Sequence, residues 1–169
     1  MYKVCKIEKS IQRQKLFQTT LLAMMKKTKF QDITVTSLCM EMNVPRKAFY
    51  RYFDTLEDVL YMTMDESLRE AFLFLEIQTD VVGFFKYWKK YKSFLDVLEK
   101  SGLSFMLANR LHEQLNEQIK NGQITNREMR HAGYISAIMT ILLLWHHSGM
   151  TQTEEEMSEE LLTMFKIDH

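Results

Sequence analysis

The sequence predicts an all-α chain, and three observations carry that prediction. Only one proline and five glycines occur among the 169 residues, so few positions interrupt a helix. No stretch alternates strictly between apolar and polar residues, as a half-buried strand would. Apolar residues recur instead at the i, i+4, i+7 spacing that lines one face of a helix.

The first helix is expected over residues 10–28, where Phe17, Leu21, Met24 and Met25 form one stripe and the basic residues lie mainly outside it. After a Lys-Phe-Gln-Asp connection, Thr34 or Thr36 can cap a short second helix whose Leu38 and Met42 face inward. Asn43 closes it, because asparagine tolerates the left-handed conformation of a tight helix stop. Pro45 then suits a first helical position, where a backbone N–H has no intrahelical acceptor to lose. A third short helix begins there and ends before Asp54 and Thr55. Thr55 and Asp58 have the spacing of a capping box for a fourth.

Breaks at Gln78-Thr79-Asp80, Ser101-Gly102, Asn121-Gly122 and Ser148 to Thr153 leave further helices near 56–77, 80–100, 103–121, 126–147 and 153–166. Between Ala132 and His146, Ile135, Ile138, Met139 and Leu142 form one stripe, and Tyr134, Ile141 and Trp145 a second. A helix apolar on two sides has to be covered on two sides. Met157, Leu161, Met164 and Phe165 add another stripe on the last helix, so a second copy of the chain is the expected cover. Ile138, Leu142, Trp145, Leu161 and Phe165 are the candidate dimer contacts; which face serves the subunit's own core is open at this point.

Formal net charge is zero, but it is unevenly placed. Residues 1–53 hold 11 Lys and Arg against 3 Asp and Glu, and the remainder holds 11 against 19. The basic end is suited to an anionic partner, whether DNA, RNA or a membrane surface. Cys5 and Cys39 are too few for a disulfide framework or a four-ligand zinc site, as expected in a reducing cytoplasm. The start of the sequence has no apolar signal core. The run from Ala137 to Trp145 falls well short of the ~20 residues of a membrane crossing, so a cytoplasmic protein with no membrane partner is expected.

The segment Thr34-Val-Thr-Ser-Leu-Cys-Met-Glu-Met-Asn-Val-Pro-Arg-Lys-Ala-Phe-Tyr-Arg-Tyr-Phe resembles the helix-turn-helix of tetracycline-repressor (TetR) family regulators. That family's pattern has a Thr-Val start, a short helix, a Gly-Val turn and a helix ending in Phe-Tyr-x-His/Tyr-Phe. The likeness extends back through Leu16, Phe17, Leu22, Met25 and Phe30 and forward through Glu57, Asp58 and Leu60, covering about residues 10–60. Trp145 and Gly149 ahead of an acidic helix match the family's C-terminal pattern more weakly. Lys29 and Asn43 stand where the family usually has glycines, and Leu56 replaces a lysine that often meets a phosphate.

The resemblance implies an N-terminal three-helix helix-turn-helix DNA-binding domain, residues 1–55, followed by a helical effector-binding and dimerisation domain, residues 56–169. It implies a ligand-responsive repressor that binds a palindromic operator in double-stranded DNA as a homodimer. Pro45 would open the recognition helix. Arg46 and Lys47 would read bases, since both donate to guanine O6 and N7, and Ala48 would allow close approach. Tyr50 and Arg51 would reach phosphates, as would Thr34, Thr36 and Ser37 through hydroxyls or helix-start N–H groups. Either Tyr50 or Tyr52 is expected to pack rather than touch DNA.

Phe84, Trp88, Tyr91, Phe105 and Met106 are candidates to line a pocket for a small-molecule effector of unknown identity, although aromatic helical stripes are also the ordinary content of cores. His112-Glu113 lacks a second histidine at residue 116, and the adjacent His146 and His147 project about 100° apart on a helix, so no metal is expected. With no nucleophile–base pair or phosphate-binding glycine loop visible, neither a cofactor nor enzymatic activity is expected. The alternative reading is a helical protein-interaction module that kept the head's fold without specific DNA binding.

Overall fold

The computed structural model describes residues 2–76, 80–119 and 125–165, with side chains at all of these except 76, 117–119 and 165. Among the described residues the chain is all-α, with no strand. Its helices are α1 (Glu8–Lys27), α2 (Val35–Glu41), α3 (Arg46–Phe49), α4 (Leu56–Glu76), α5 (Val81–Lys90), α6 (Lys92–Lys100), α7 (Ser104–Ile119), α8 (Asn126–His147) and α9 (Glu154–Phe165). A 3-10 turn, Phe30–Asp32, follows α1.

Most element boundaries lie where the sequence puts them. The exception is the stretch 80–100, which is two helices rather than one. Tyr91 ends α5 at φ −96°, ψ 20° with no glycine or proline to mark the break. No helix among the described residues is long and apolar enough to cross a membrane.

Two compact units divide the chain. The first comprises Met1–Ser67 with Asp96–Gly102, and the second Leu68–Leu95 with Leu103–His169. The division falls inside α4 and α6, whereas Leu56, the first residue after the expected domain boundary, is the first residue of α4.

The first unit is built on aromatic packing. Phe17 of α1 meets Phe49 of α3 at 5.5 Å and Phe53 at 5.9 Å between ring centroids, both edge to face, and all three are fully buried. That geometry is worth about 0.5–1.5 kcal/mol per pair beyond area burial. Leu21, Met25, Leu38, Leu60 and Met64 complete the core. Asp96–Gly102 joins through polar contacts: the Phe30 N–H donates to Ser101 Oγ at 3.1 Å, the Gln31 amide to the Ser101 carbonyl at 2.7 Å, and Lys100 Nζ to the Lys26 carbonyl at 2.7 Å.

In the second unit α5 packs on α9 and α7 on α8. Phe84, Phe85 and Trp88 of α5 are fully buried, and Phe85 meets Trp145 of α8 edge to face at 5.4 Å. The α5–α9 packing is edged by two ion pairs, Lys86 to Glu155 at 3.0 Å and Lys89 to Glu154 at 2.9 Å.

This core corrects one expectation. Ile138, Leu142, Trp145 and Leu161, the candidate dimer contacts, are all at most 2 % exposed within the chain itself, so they cannot meet a second copy while it stays folded. The side chain of Phe165 lies outside the described residues. The large apolar side chains left open on the same helices are Met129 near the start of α8, Leu144 near its end, and Leu162 and Met164 on α9.

The capping box at α4 is present as expected. The Asp58 carboxylate accepts the Asp54 and Thr55 N–H groups at 2.9 and 3.1 Å, and Thr55 Oγ1 accepts the Asp58 N–H at 3.3 Å. Burial alone raises the Asp58 pKa, but these backbone donors favour the charged form, and the pKa ends below the ordinary aspartate value. Asp58→Ala should therefore cost about 1 kcal/mol at neutral pH. A carboxylate depressed in the folded state stabilises above its unfolded pKa and loses that contribution as pH falls through its folded one. The gap in urea midpoint between wild type and variant should accordingly be constant down to about pH 4 and shrink below it. A gap that widens on acidification contradicts this role.

Candidate nucleic-acid interface

Thr34 starts α2 from an extended conformation and caps it. Its Oγ1 accepts the Ser37 N–H at 3.0 Å while Ser37 Oγ accepts the Thr34 N–H at 2.9 Å, a reciprocal box that settles the cap on Thr34 rather than Thr36. At the far end Asn43 adopts φ +50°, the left-handed conformation that its short polar side chain tolerates. The chain reverses there, with the Val44 N–H donating to the Cys39 carbonyl at 2.9 Å. Pro45 stands at the N-cap of α3, one position earlier than expected, at φ −70° and ψ 147°. Proline disfavours a helical conformation at the preceding residue, so the turn cannot continue α2.

The one turn of α3 separates two kinds of residue. Phe49 is fully buried and Tyr52 is 8 % exposed, while Arg46, Lys47, Tyr50 and Arg51 face solvent. Tyr52 is thus the tyrosine that packs. Arg46 is steadied from its own helix: its Nη2 donates to Tyr50 Oη at 3.1 Å, and its guanidinium sits 5.8 Å from the Tyr50 ring centroid. The hydrogen bond to Tyr50 raises the Arg46 pKa further, so the group is always charged. Arg51 lies 5.8 Å from the Tyr52 ring. Burial pushes the Cys39 thiol up, with Arg46 acting weakly the other way, which keeps it protonated at neutral pH.

All nine residues singled out in the sequence, Thr34, Thr36, Ser37, Pro45, Arg46, Lys47, Ala48, Tyr50 and Arg51, fall in the first unit, and each is exposed or half-buried. The sequence did not reveal the segment ahead of α1. There the Lys3 N–H donates to the Tyr52 carbonyl at 3.0 Å, Lys3 Nζ to the Tyr50 carbonyl at 3.1 Å, and buried Gln14 donates its amide to the Lys3 carbonyl at 2.7 Å. These are mostly backbone contacts, which carry no side-chain pattern.

The effector candidates divide. Phe84 and Trp88 are core residues 6.4 Å apart, Met106 is half-buried, and Tyr91 and Phe105 are 37 % and 77 % exposed. Phe105 and Tyr91 therefore do not line an enclosed space, and Phe84 and Trp88 belong to the packed core. Among the described residues no three His, Cys, Asp or Glu side chains are grouped to hold a metal.

No protein-family model matches the chain, and no curated protein matches it.

The turn makes its own prediction. Asn43→Val places a β-branched side chain at positive φ and should cost about 1–2 kcal/mol, whereas Asn43→Gly should stay within a few tenths of wild type. Equal midpoints for the two variants in urea denaturation would show that the turn does not depend on this conformation.

Proposed function

We propose that the chain is a DNA-binding transcriptional regulator whose α2, turn and α3 act as a helix-turn-helix, with α3 entering the major groove. The supporting observation is the division of α3 and the turn that follows it into buried aromatics, Phe49 and Tyr52, and exposed cations, Arg46, Lys47 and Arg51. Recognition by such a helix needs donors at its N-terminal end to reach base edges and cations further along to meet phosphates. Arg46 and Lys47 occupy the first part, and Arg51 follows the second. The Tyr50 contact holds the Arg46 guanidinium in place, so less conformational entropy is lost when it pairs with a base.

The regulator acts as a homodimer on a palindromic site, because one short recognition helix reads few base pairs and needs a second half-site for useful specificity. Leu144 of α8 and Leu162 and Met164 of α9 are 64 %, 47 % and 64 % exposed, and they are the apolar side chains offered to the partner. Response to a small-molecule effector, and repression as its outcome, follow from the family resemblance of residues 10–60.

Operators selected from a random duplex library test the reading. Arg46→Ala should cost about 1–3 kcal/mol on the selected site and relax its sequence preference, while Arg51→Ala should weaken selected and random duplexes alike. Equal losses on both DNAs for Arg46→Ala would remove it from base reading. Failure of the wild type to enrich any sequence would remove the function.

For assembly, the double variant Leu144→Glu, Leu162→Glu should sediment as a folded monomer and bind the selected site far more weakly. Leu142→Glu should instead unfold the second unit, since Leu142 is fully buried. A wild type that is monomeric at micromolar concentration yet binds a palindrome tightly contradicts the dimer.

A further inference from the structure

Beside α3 the first unit carries an open groove of about 670 Å³. Its walls are the start of α1 on one side and the α2–α3 turn with α3 on the other. Ile7, Leu16, Val44, Pro45 and Ala48 supply an apolar lining, and Lys9, Arg13 and Arg51 supply three cations from two different elements. Ile7 is 71 % and Leu16 45 % exposed, so both show apolar surface that the unit's own core does not cover. None of the residues lining the groove is acidic. Glu8, the nearest carboxylate in sequence, accepts the Gln12 amide at 3.0 Å. The segment ahead of α1 fixes the geometry: Lys3 is tied to the Tyr50 and Tyr52 carbonyls, which holds the approach to Ile7 against the end of α3.

An apolar strip edged by cations from both sides matches a sugar–phosphate strand, in which anionic phosphates alternate with largely apolar deoxyribose rings. We propose that this groove seats a backbone segment of duplex DNA next to the bases met by α3, with Lys9, Arg13 and Arg51 on phosphate oxygens and Ile7 and Leu16 against deoxyribose. The proposal rests on the DNA-binding reading and adds α1 to it. Lys9 and Arg13 are then positioning contacts: they set the register of the duplex and carry no sequence information.

Salt dependence separates this from a general effect of charge. Each phosphate neutralised contributes about −0.9 to the slope of log Kobs against log salt. With a random-sequence duplex about three helical turns long as the probe, Lys9→Ala, Arg13→Ala should make the slope shallower by about 1.8. The same variant should lower affinity equally on selected and random DNA and leave the selected sequence preference intact. The control Lys27→Ala, Lys29→Ala removes the same charge at and just past the other end of α1, outside the groove lining, and should leave the slope unchanged. Leu16→Asp, which places an anion in the groove at an exposed position, should weaken binding as strongly as the cation double variant while the circular dichroism spectrum is unchanged. Identical slopes for the groove variant and wild type, or the same loss of slope in the control, would overturn the proposal while DNA binding itself stood. A wild type that binds no duplex at low salt would overturn both.

Discussion

The cationic surface of the first unit depends on the burial of Phe49. A helix of four residues has no stability of its own, because forming the first turn fixes several dihedrals for a single hydrogen bond. Tertiary packing has to hold α3, and Phe49 supplies it through edge-to-face contacts with Phe17 and a tilted contact with Phe53 at 5.5 Å. Once Phe49 is inside, helical geometry turns Arg46 and Lys47 outward, and Arg51 is exposed in the turn that follows. Tyr52 and Phe53 repeat the constraint just beyond the helix, and Tyr52 then serves as the surface on which Arg51 lies.

What could be read from the sequence follows the range of the interactions. Thr34, Asn43 and the Thr55–Asp58 pair act within three or four residues, so their roles follow from spacing alone, and each has the role its position suggests. The stop at Tyr91 has no such local signature, and it splits what periodicity presents as one helix. On α8, periodicity presents two apolar stripes, yet Ile138 and Leu142 of one and Trp145 of the other are all buried, and the exposed Leu144 belongs to neither. Trp145 is met by Phe85 of α5, a contact that spacing within α8 does not carry. The groove was out of reach for a related reason: it joins Lys9 and Arg13 to Val44 and Arg51, and it is held by backbone carbonyls at Tyr50 and Tyr52.

The second unit carries a cost inside its core. Among the described residues the buried indole nitrogens of Trp88 and Trp145 meet no hydrogen-bond partner. Each such donor forfeits about 1–3 kcal/mol. Fully burying an aromatic side chain returns an amount of similar or larger size, so the rings remain favourable as packing elements even with their polar atoms unsatisfied. The Lys86–Glu155 pair between α5 and α9 adds little, because both side chains are largely exposed and water screens their attraction. Aromatic packing, rather than charge, therefore holds α5 in this unit, much as it holds α3 in the other.

Carboxylates and cations are treated differently in the first unit. Asp58 is taken up by backbone N–H groups, Asp65 accepts the Tyr2 hydroxyl, Glu66 accepts the Gln18 amide and lies 3.7 Å from Lys15, and Glu8 holds Gln12. These anions are engaged on or beside the long helices α1 and α4. By contrast, among the described residues no carboxylate forms an ion pair with Lys9, Arg13, Lys47 or Arg51. A basic excess in a sequence produces an open field only when its counter-charges are held elsewhere, since a paired cation has already given up much of its attraction for a third charge. The eleven basic residues of segment 1–53 are thus less informative as a count than as a placement. Those around α3 and the start of α1 remain open to a polyanion, and they lie on both sides of the same apolar strip.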